Sequence, residues 1–220
     1  MTALPAEKFE RRYTYADMLA WEDTGARYEL YDGQVRGLAS PSNVHQEICV
    51  ELCTQFRTYL RGKTCKVYVA PFDVRLFEKE GDRPEDVAHV FQPDLLVVCD
   101  LSKIDRRGVH GAPDLVIEIL SDSSRQNDQV TKFNLYLRAG VREYWIIDPE
   151  ACVVQVYTLT PEGDYKAAAY NADSVISAAV LDDCRIDMSA VFPEEVKKAA
   201  KEALQAAEAA GETGMRIEEE

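Results

Sequence analysis

Two short apolar runs carry carboxylates where a core strand would ordinarily carry none. They are Gln92-Pro93-Asp94-Leu95-Leu96-Val97-Val98 and Ala112-Pro113-Asp114-Leu115-Val116-Ile117-Glu118-Ile119-Leu120. Both are rich in β-formers and opened by proline, as buried strands often are. An ionised carboxylate inside such a strand is costly unless it is paired, hydrogen-bonded or bound to metal. With a rise of roughly 3.3 Å per residue, Asp114 and Glu118 lie about 13 Å apart on one strand, too far to share an ion. Adjacent strands are only about 4.8 Å apart, so Asp94 and Glu118 can converge. That pair is expected to hold a hard divalent cation, Mg2+ or Mn2+, with Asp114 left to hydrogen-bond local backbone.

Such an ion can polarise a phosphodiester and lower the pKa of an attacking water. A lysine nearby would stabilise charge or orient the nucleophile, and Lys132, one helix after Glu118, is the candidate. Each residue also has a plainer reading. Glu118 could be a structural acid paired with an arginine, and Asp94 a turn residue after Pro93. Lys132 could sit on a solvated helix face with Asp128 four residues before it, an exposed pair worth about 0.3–0.5 kcal/mol.

The elements that must position these side chains follow from periodicity. Thr14–Thr24 reads as a short helix. Arg27 to Val35 reads as a hairpin, because Asp32-Gly33 interrupts two alternating runs. Ser42 or Asn43 caps a helix to about Leu60, its apolar positions Val44, Ile48, Leu52, Phe56 and Tyr59 recurring at helical spacing. Strands are expected at Lys66–Ala70, Phe72–Phe77, Pro93–Val98, Asp114–Leu120, Glu143–Asp148, Val153–Leu159 and Tyr165–Tyr170. The charged loop Glu78–Ala88 is expected to be exposed and mobile. A second helix spans about Arg125–Arg138, with Val130, Phe133 and Leu137 on one face and Gly140 beyond its end. An alanine-rich helix covers Glu194–Ala210 and could dock on a partner or simply extend. The division is one α/β domain over residues 1–192 and an acidic helical tail over 193–220.

The 220 residues carry a net charge of −14, which argues against broad, non-specific adhesion to nucleic acid. From Pro193 onward there are eight acidic and four basic residues, so −10 rests on residues 1–192. Arg57, Arg61, Lys63, Lys66, Arg106, Arg107, Arg125 and Arg138 are the cations available for a local basic cleft. No apolar run approaches the ~18 residues of a membrane span, and Met1–Lys8 lacks a signal-peptide core, so a cytoplasmic protein is expected. The six cysteines form no Cys-x-x-Cys pair and are expected to be reduced thiols acting as small hydrophobes. There is no phosphate-binding glycine loop, no Gly-x-Ser-x-Gly elbow and no His-Glu-x-x-His motif.

From Tyr13 to about Val191 the chain resembles the Uma2 family, proteins of the PD-(D/E)XK nuclease fold. The resemblance is carried by Tyr28-Glu29-Leu30-Tyr31-Asp32-Gly33, Ser40-Pro41-Ser42 with His45, Pro71 to Leu76, Gln92-Pro93-Asp94, Gly111 to Glu118 and Ala139 to Pro149. It implies a restriction-endonuclease-like mixed central sheet flanked by helices, with metal-dependent phosphodiester cleavage as the chemistry. Asp94 and Glu118 match the two acids of the nuclease pattern. The lysine of its acid-x-lysine triplet is replaced by Leu120, and the resemblance implies that Lys132 supplies it from the following helix. Glu47 resembles an auxiliary acid of the fold, with His45 beside it. The expected function is a Mg2+- or Mn2+-dependent endonuclease acting on DNA, for which a homodimer is compatible and no membrane is needed. The alternative is a catalytically retired nuclease fold that binds nucleic acid or protein.

Overall fold

Alternation along two neighbouring strands, Leu95–Val98 and Leu115–Ile119, decides how the layers stack. Leu95, Val97, Leu115, Ile117 and Ile119 point into a core shared with Ile48, Leu52 and Phe56 of the helix Asn43–Tyr59. Leu96, Val98, Val116 and Leu120 point to the opposite side, onto Leu135 and Tyr136. Period-2 alternation thus feeds two apolar layers from one sheet. The computed structural model describes residues 11–21, 25–121 and 124–217.

That central sheet has six strands in the spatial order Tyr165–Asn171, Val153–Leu159, Glu143–Asp148, Leu115–Ile119, Leu95–Val98, Lys66–Val69. Its one parallel pairing joins Leu115–Ile119 to Glu143–Asp148. A parallel pair needs a crossover connection, and the helical stretch Asn127–Ala139 supplies it. A second six-stranded sheet of short strands begins with the hairpin Arg27–Tyr31/Gln34–Leu38. Asp32 and Gly33 have φ of 51° and 76°, the two positive values that a tight hairpin turn requires. A Cβ on Gly33 would also lie 2.9 Å from Arg12 Cβ, so glycine is needed there for space as well. The architecture is the expected mixed α/β one, with sheet, flanking helices and hairpin.

Several local expectations need correction. The first helix covers only Tyr15–Leu19, and Glu22–Thr24 of the expected span lie outside the described residues. Phe72–Phe77 yields just the two-residue strand Val74–Arg75. The charged loop is exposed over 79–83 and 85–86 as expected, but it carries a 3-10 turn at Pro84–Asp86 and buries Val87. Cys65 and Cys99 form a disulfide instead of remaining free thiols. They stand one step beyond the Lys66↔Val98 pair of the ladder, a juxtaposition created by strand pairing across 34 residues. The terminal helix runs Glu194–Ile217, and its early residues Val196 and Ala200 pack on the main core.

The largest correction concerns the crossover helix. Its segment Asn127–Lys132 is a π-helix that passes into the α-helix Phe133–Ala139, capped by left-handed Gly140. Val130, expected to face inward, is 56% exposed, whereas Asp128, Lys132, Leu135 and Tyr136 are buried. The inward stripe at 128, 132 and 136 is polar and keeps helical spacing, so an apolar count alone picks the wrong face. π-turns within helices occur often at functional sites, and this one presents an acid and a lysine to the sheet.

Candidate active site

Asp94 and Glu118 meet as strand spacing predicts. Leu95 faces Ile117 in the antiparallel ladder, and one step further Asp94 stands opposite Glu118. Asp94 Oδ2 accepts the Ile119 backbone N–H at 2.8 Å, which ties the acid to the strand carrying its partner. His45, in the first turn of Asn43–Tyr59, places Nε2 3.1 Å from the same oxygen. Glu118 Oε1 accepts from Lys132 Nζ at 2.9 Å and from Tyr136 Oη at 2.8 Å. Glu118 is therefore a paired acid, and its partner is a lysine instead of an arginine.

Lys132 has more partners than the sequence suggested. Besides Glu118, its Nζ lies 3.2 Å from Asp128 Oδ1 and 3.3 Å from Glu29 Oε1. All four residues are buried, Glu118 to 3% and Lys132 to 4% exposure. The Asp128–Lys132 pair is thus internal, not a solvated helix pair. Asp128 Oδ1 is near enough for ion pairing but makes no geometrically sound hydrogen bond. Glu29, from the hairpin, is held by Tyr31 Oη at 2.6 Å and by the Gln92 backbone N–H at 2.9 Å. Three carboxylates around one ammonium leave an excess of buried negative charge.

The titration of these groups reflects that excess. Burial pushes the Glu118 carboxyl well above its ordinary value; Lys132 opposes the shift, while Asp128, Asp94 and Glu29 add to it. Burial likewise raises Asp128, again against the pull of Lys132. For Lys132 desolvation acts downward, but Glu118, Glu29 and Asp128 outweigh it and hold the amine well above its usual range. Lys132 is consequently a fixed ammonium near neutral pH and not a proton acceptor.

Asp94, Glu118, Lys132, His45, Glu29 and Asp128 all line a cavity of about 660 Å³. Glu47 does not: it is exposed on the same helix as His45, one position beyond Gln46, which does line the cavity. Asp114 also lies outside it, accepting the Cys99 backbone N–H and Arg142. None of the eight cations named for a local basic cleft lines this cavity; Arg27 and Arg36 do. Of the residues missed, Glu29 and Tyr31 had one signal: strand alternation puts both on one side of the hairpin. Asp128 was visible only as a neighbour of Lys132, and Tyr136 had no signal beyond its helical spacing from it.

A divalent cation fits the chemistry of this donor set. Both hydrogen bonds to Glu118 fall on Oε1, and both close contacts of Asp94 fall on Oδ2. Each carboxylate therefore keeps its second oxygen uncommitted among the described residues. The surplus of buried acid requires retained protons or a cation for balance. No group of three or more His, Cys, Asp or Glu side chains is placed to hold a metal ion among the described residues. Mg2+ commonly uses one or two carboxylates and keeps several waters, so two acids are a sufficient protein contribution.

Comparisons with known proteins bear on the family and the fold. Residues 13–189 match the Uma2 family, described as "Putative restriction endonuclease". An uncharacterised protein of Synechocystis sp., slr1290, is 26% identical over 160 residues, covering 71% of this chain and 79% of that protein. The crystal structure of a "putative nuclease belonging to DUF820" from Anabaena variabilis superposes with a TM-score of 0.64 at 18% identity. That match covers 81% of this chain and 97% of the other, and it shows a shared fold.

Proposed function

The chain belongs to the Uma2 family, and from that premise we propose that it is a divalent-metal-dependent endonuclease that hydrolyses DNA phosphodiester bonds. The observation that carries this reading is the convergence of Asp94, Glu118 and Lys132 on one cavity, with buried acid in excess. Asp94 and Glu118 would hold Mg2+ or Mn2+. When bound, the ion supplies Lewis acidity to a phosphoryl oxygen and a lowered pKa to a water. Tyr136 Oη and Lys132 Nζ fix the Glu118 carboxylate through one oxygen, leaving the other for the ion. The Ile119 N–H and His45 orient Asp94 in the same manner. Lys132, held as an ammonium, stabilises negative charge developing on the phosphoryl group and orients the nucleophile; its protonation removes it as general base.

A second reading has one specific support. Lys132 already neutralises part of Glu118 without any ion, as a structural network on a retired nuclease fold would. Cleavage of supercoiled plasmid, duplex and single-stranded DNA, and RNA, with Mg2+ or Mn2+, separates the two. Wild-type cleavage that disappears with chelator and in Glu118→Gln supports the enzyme. Folded wild type that binds nucleic acid, binds no metal and cuts none of these supports the retired fold.

A further inference from the structure

The cavity's interior is acidic, yet two arginines line it, one from each strand of the hairpin. Arg36 stands directly opposite Glu29 in the ladder, so the two share a face. Glu29 nevertheless turns its carboxylate to Lys132, Tyr31 and the Gln92 backbone. Arg36 is held instead by neutral groups: its guanidinium lies 4.5 Å from the Tyr31 ring centroid, and NH1 donates to Asn127 Oδ1 at 2.6 Å. Arg27 is held the same way, with Nε donating to Gln92 Oε1 at 3.0 Å. Neither meets a carboxylate within ion-pair reach among the described residues. Arg11, Arg12, Arg75, Arg83, Arg125 and Arg142 pair with acids. Other arginines without an acid partner among the described residues, such as Arg57 and Arg138, lie outside this cavity, so Arg27 and Arg36 are set apart by being unneutralised and lining it.

Both mouth arginines are thus positioned without being neutralised. Arg36 remains exposed and Arg27 half-buried. Guanidinium donors aimed by neutral side chains keep their full charge and spare N–H groups for an incoming oxyanion. The first turn of the Asn43–Tyr59 helix, which lines the same cavity, adds a partial positive end. The acids inside the cavity would repel a polyanion by themselves, so cations at the opening are where a nucleic-acid strand can be held.

We infer that Arg27 and Arg36 are the backbone-binding residues of this site, contacting phosphates that flank the bond placed at Asp94 and Glu118. The inference rests on the nuclease reading and adds to it the residues that hold the substrate. Their contacts would be sequence-independent, since phosphate contacts position the strand and do not read bases. Arg36 would tie substrate position to the cluster, because Asn127, its partner, also donates to Tyr31 Oη, which donates to Glu29.

The test is fluorescence anisotropy with a labelled 30-base single strand and a 30-base-pair DNA duplex, in chelator so that nothing is cut, over a salt series. Arg27→Ala and Arg36→Ala are each expected to weaken binding on the order of tenfold at 0.1 M salt. Each should also reduce the slope of log K against log salt by about one contact. Arg36→Lys should restore the slope, and Mn2+ binding by calorimetry should stay at the wild-type value in all three. Arg57→Ala, on the exposed face of the long helix, should leave the slope unchanged. Wild-type slopes in Arg27→Ala and Arg36→Ala, or loss at Arg57 instead, would overturn the inference while leaving the metal site intact. Wild type that binds neither probe would overturn it too, and metal-dependent cleavage would then decide the nuclease reading separately.

Discussion

Two buried cations in this protein sit among acids, and they behave differently. Arg75 pairs with Glu78 at 2.6 Å and Asp105 at 2.8 Å, both on the periphery of the second sheet. There desolvation of the Asp105 carboxyl is outweighed by hydrogen bonds from Arg75 and the Arg107 backbone N–H and by the Arg75 charge, so it lies below its usual value. Lys132 pairs with Glu29, Glu118 and Asp128, and there Glu118 and Asp128 are pushed up instead. One cluster favours the ionised form of Asp105 and acts as a structural brace. The other holds more buried negative charge than its single ammonium can balance. Perturbation in that direction, facing a cavity, marks a functional site more than a stabilising one.

Breaking the brace should give the largest change in stability. Arg75→Ala removes a buried side chain that ties Glu78 to Asp105 and leaves its packing space empty, which is expected to cost about 2–5 kcal/mol. At about 2–4 °C per kcal/mol for a chain of this size, calorimetry should show a Tm drop on the order of 10 °C, with Mn2+ binding unchanged at temperatures where the variant is folded. Glu118→Gln should do the reverse, keeping Tm within a few degrees while Mn2+ binding and cleavage disappear. A variant that unfolds as readily as Arg75→Ala would place Glu118 in the brace category.

Asp128→Asn sharpens the contrast through pH. The folded pKa of Asp128 is raised, so the folded state binds more protons than the unfolded one above the ordinary value near 3.8. Ionised Asp128 therefore costs stability as pH rises from there through its folded pKa. The asparagine variant should melt a few degrees higher than wild type at pH 8, and the gain should shrink toward pH 4. Asp105 has the opposite sign: its contribution is present above 3.8 and lost as pH falls through its lowered folded pKa. Asp105→Asn should accordingly lower Tm at pH 7 and have less effect near pH 3. Tyr136→Phe removes one O–H donor from Glu118 and should cost about 0.5–1.5 kcal/mol. Its signature should be a reduced kcat with the fold retained.

What could be read from the sequence divides along the same line. Asp94 with Glu118 was legible because strand spacing alone brings neighbouring strands together, and burial of Glu118 follows from its apolar neighbours. The Asp32-Gly33 hairpin was legible because few residues tolerate two successive positive φ values. The acids completing the Lys132 cluster were not, since Glu29 comes from a different sheet and no periodicity links it to residue 132. The π-segment at Asn127–Lys132 misled the reading of the crossover helix, because apolar Val130 lies outside and Asp128 inside. The charge of −14 concealed Arg27 and Arg36 for a related reason. Net charge says nothing of which cations lack an acidic partner.

The central claim is that Asp94 and Glu118 together bind a divalent cation. It is tested most directly by calorimetric titration of Mn2+ into wild type, Asp94→Ala and Glu118→Ala, with Arg75→Lys as a folded comparator. The account predicts binding in wild type and in the comparator, and its loss in both carboxylate variants while they remain folded. Undiminished binding in both carboxylate variants would contradict it.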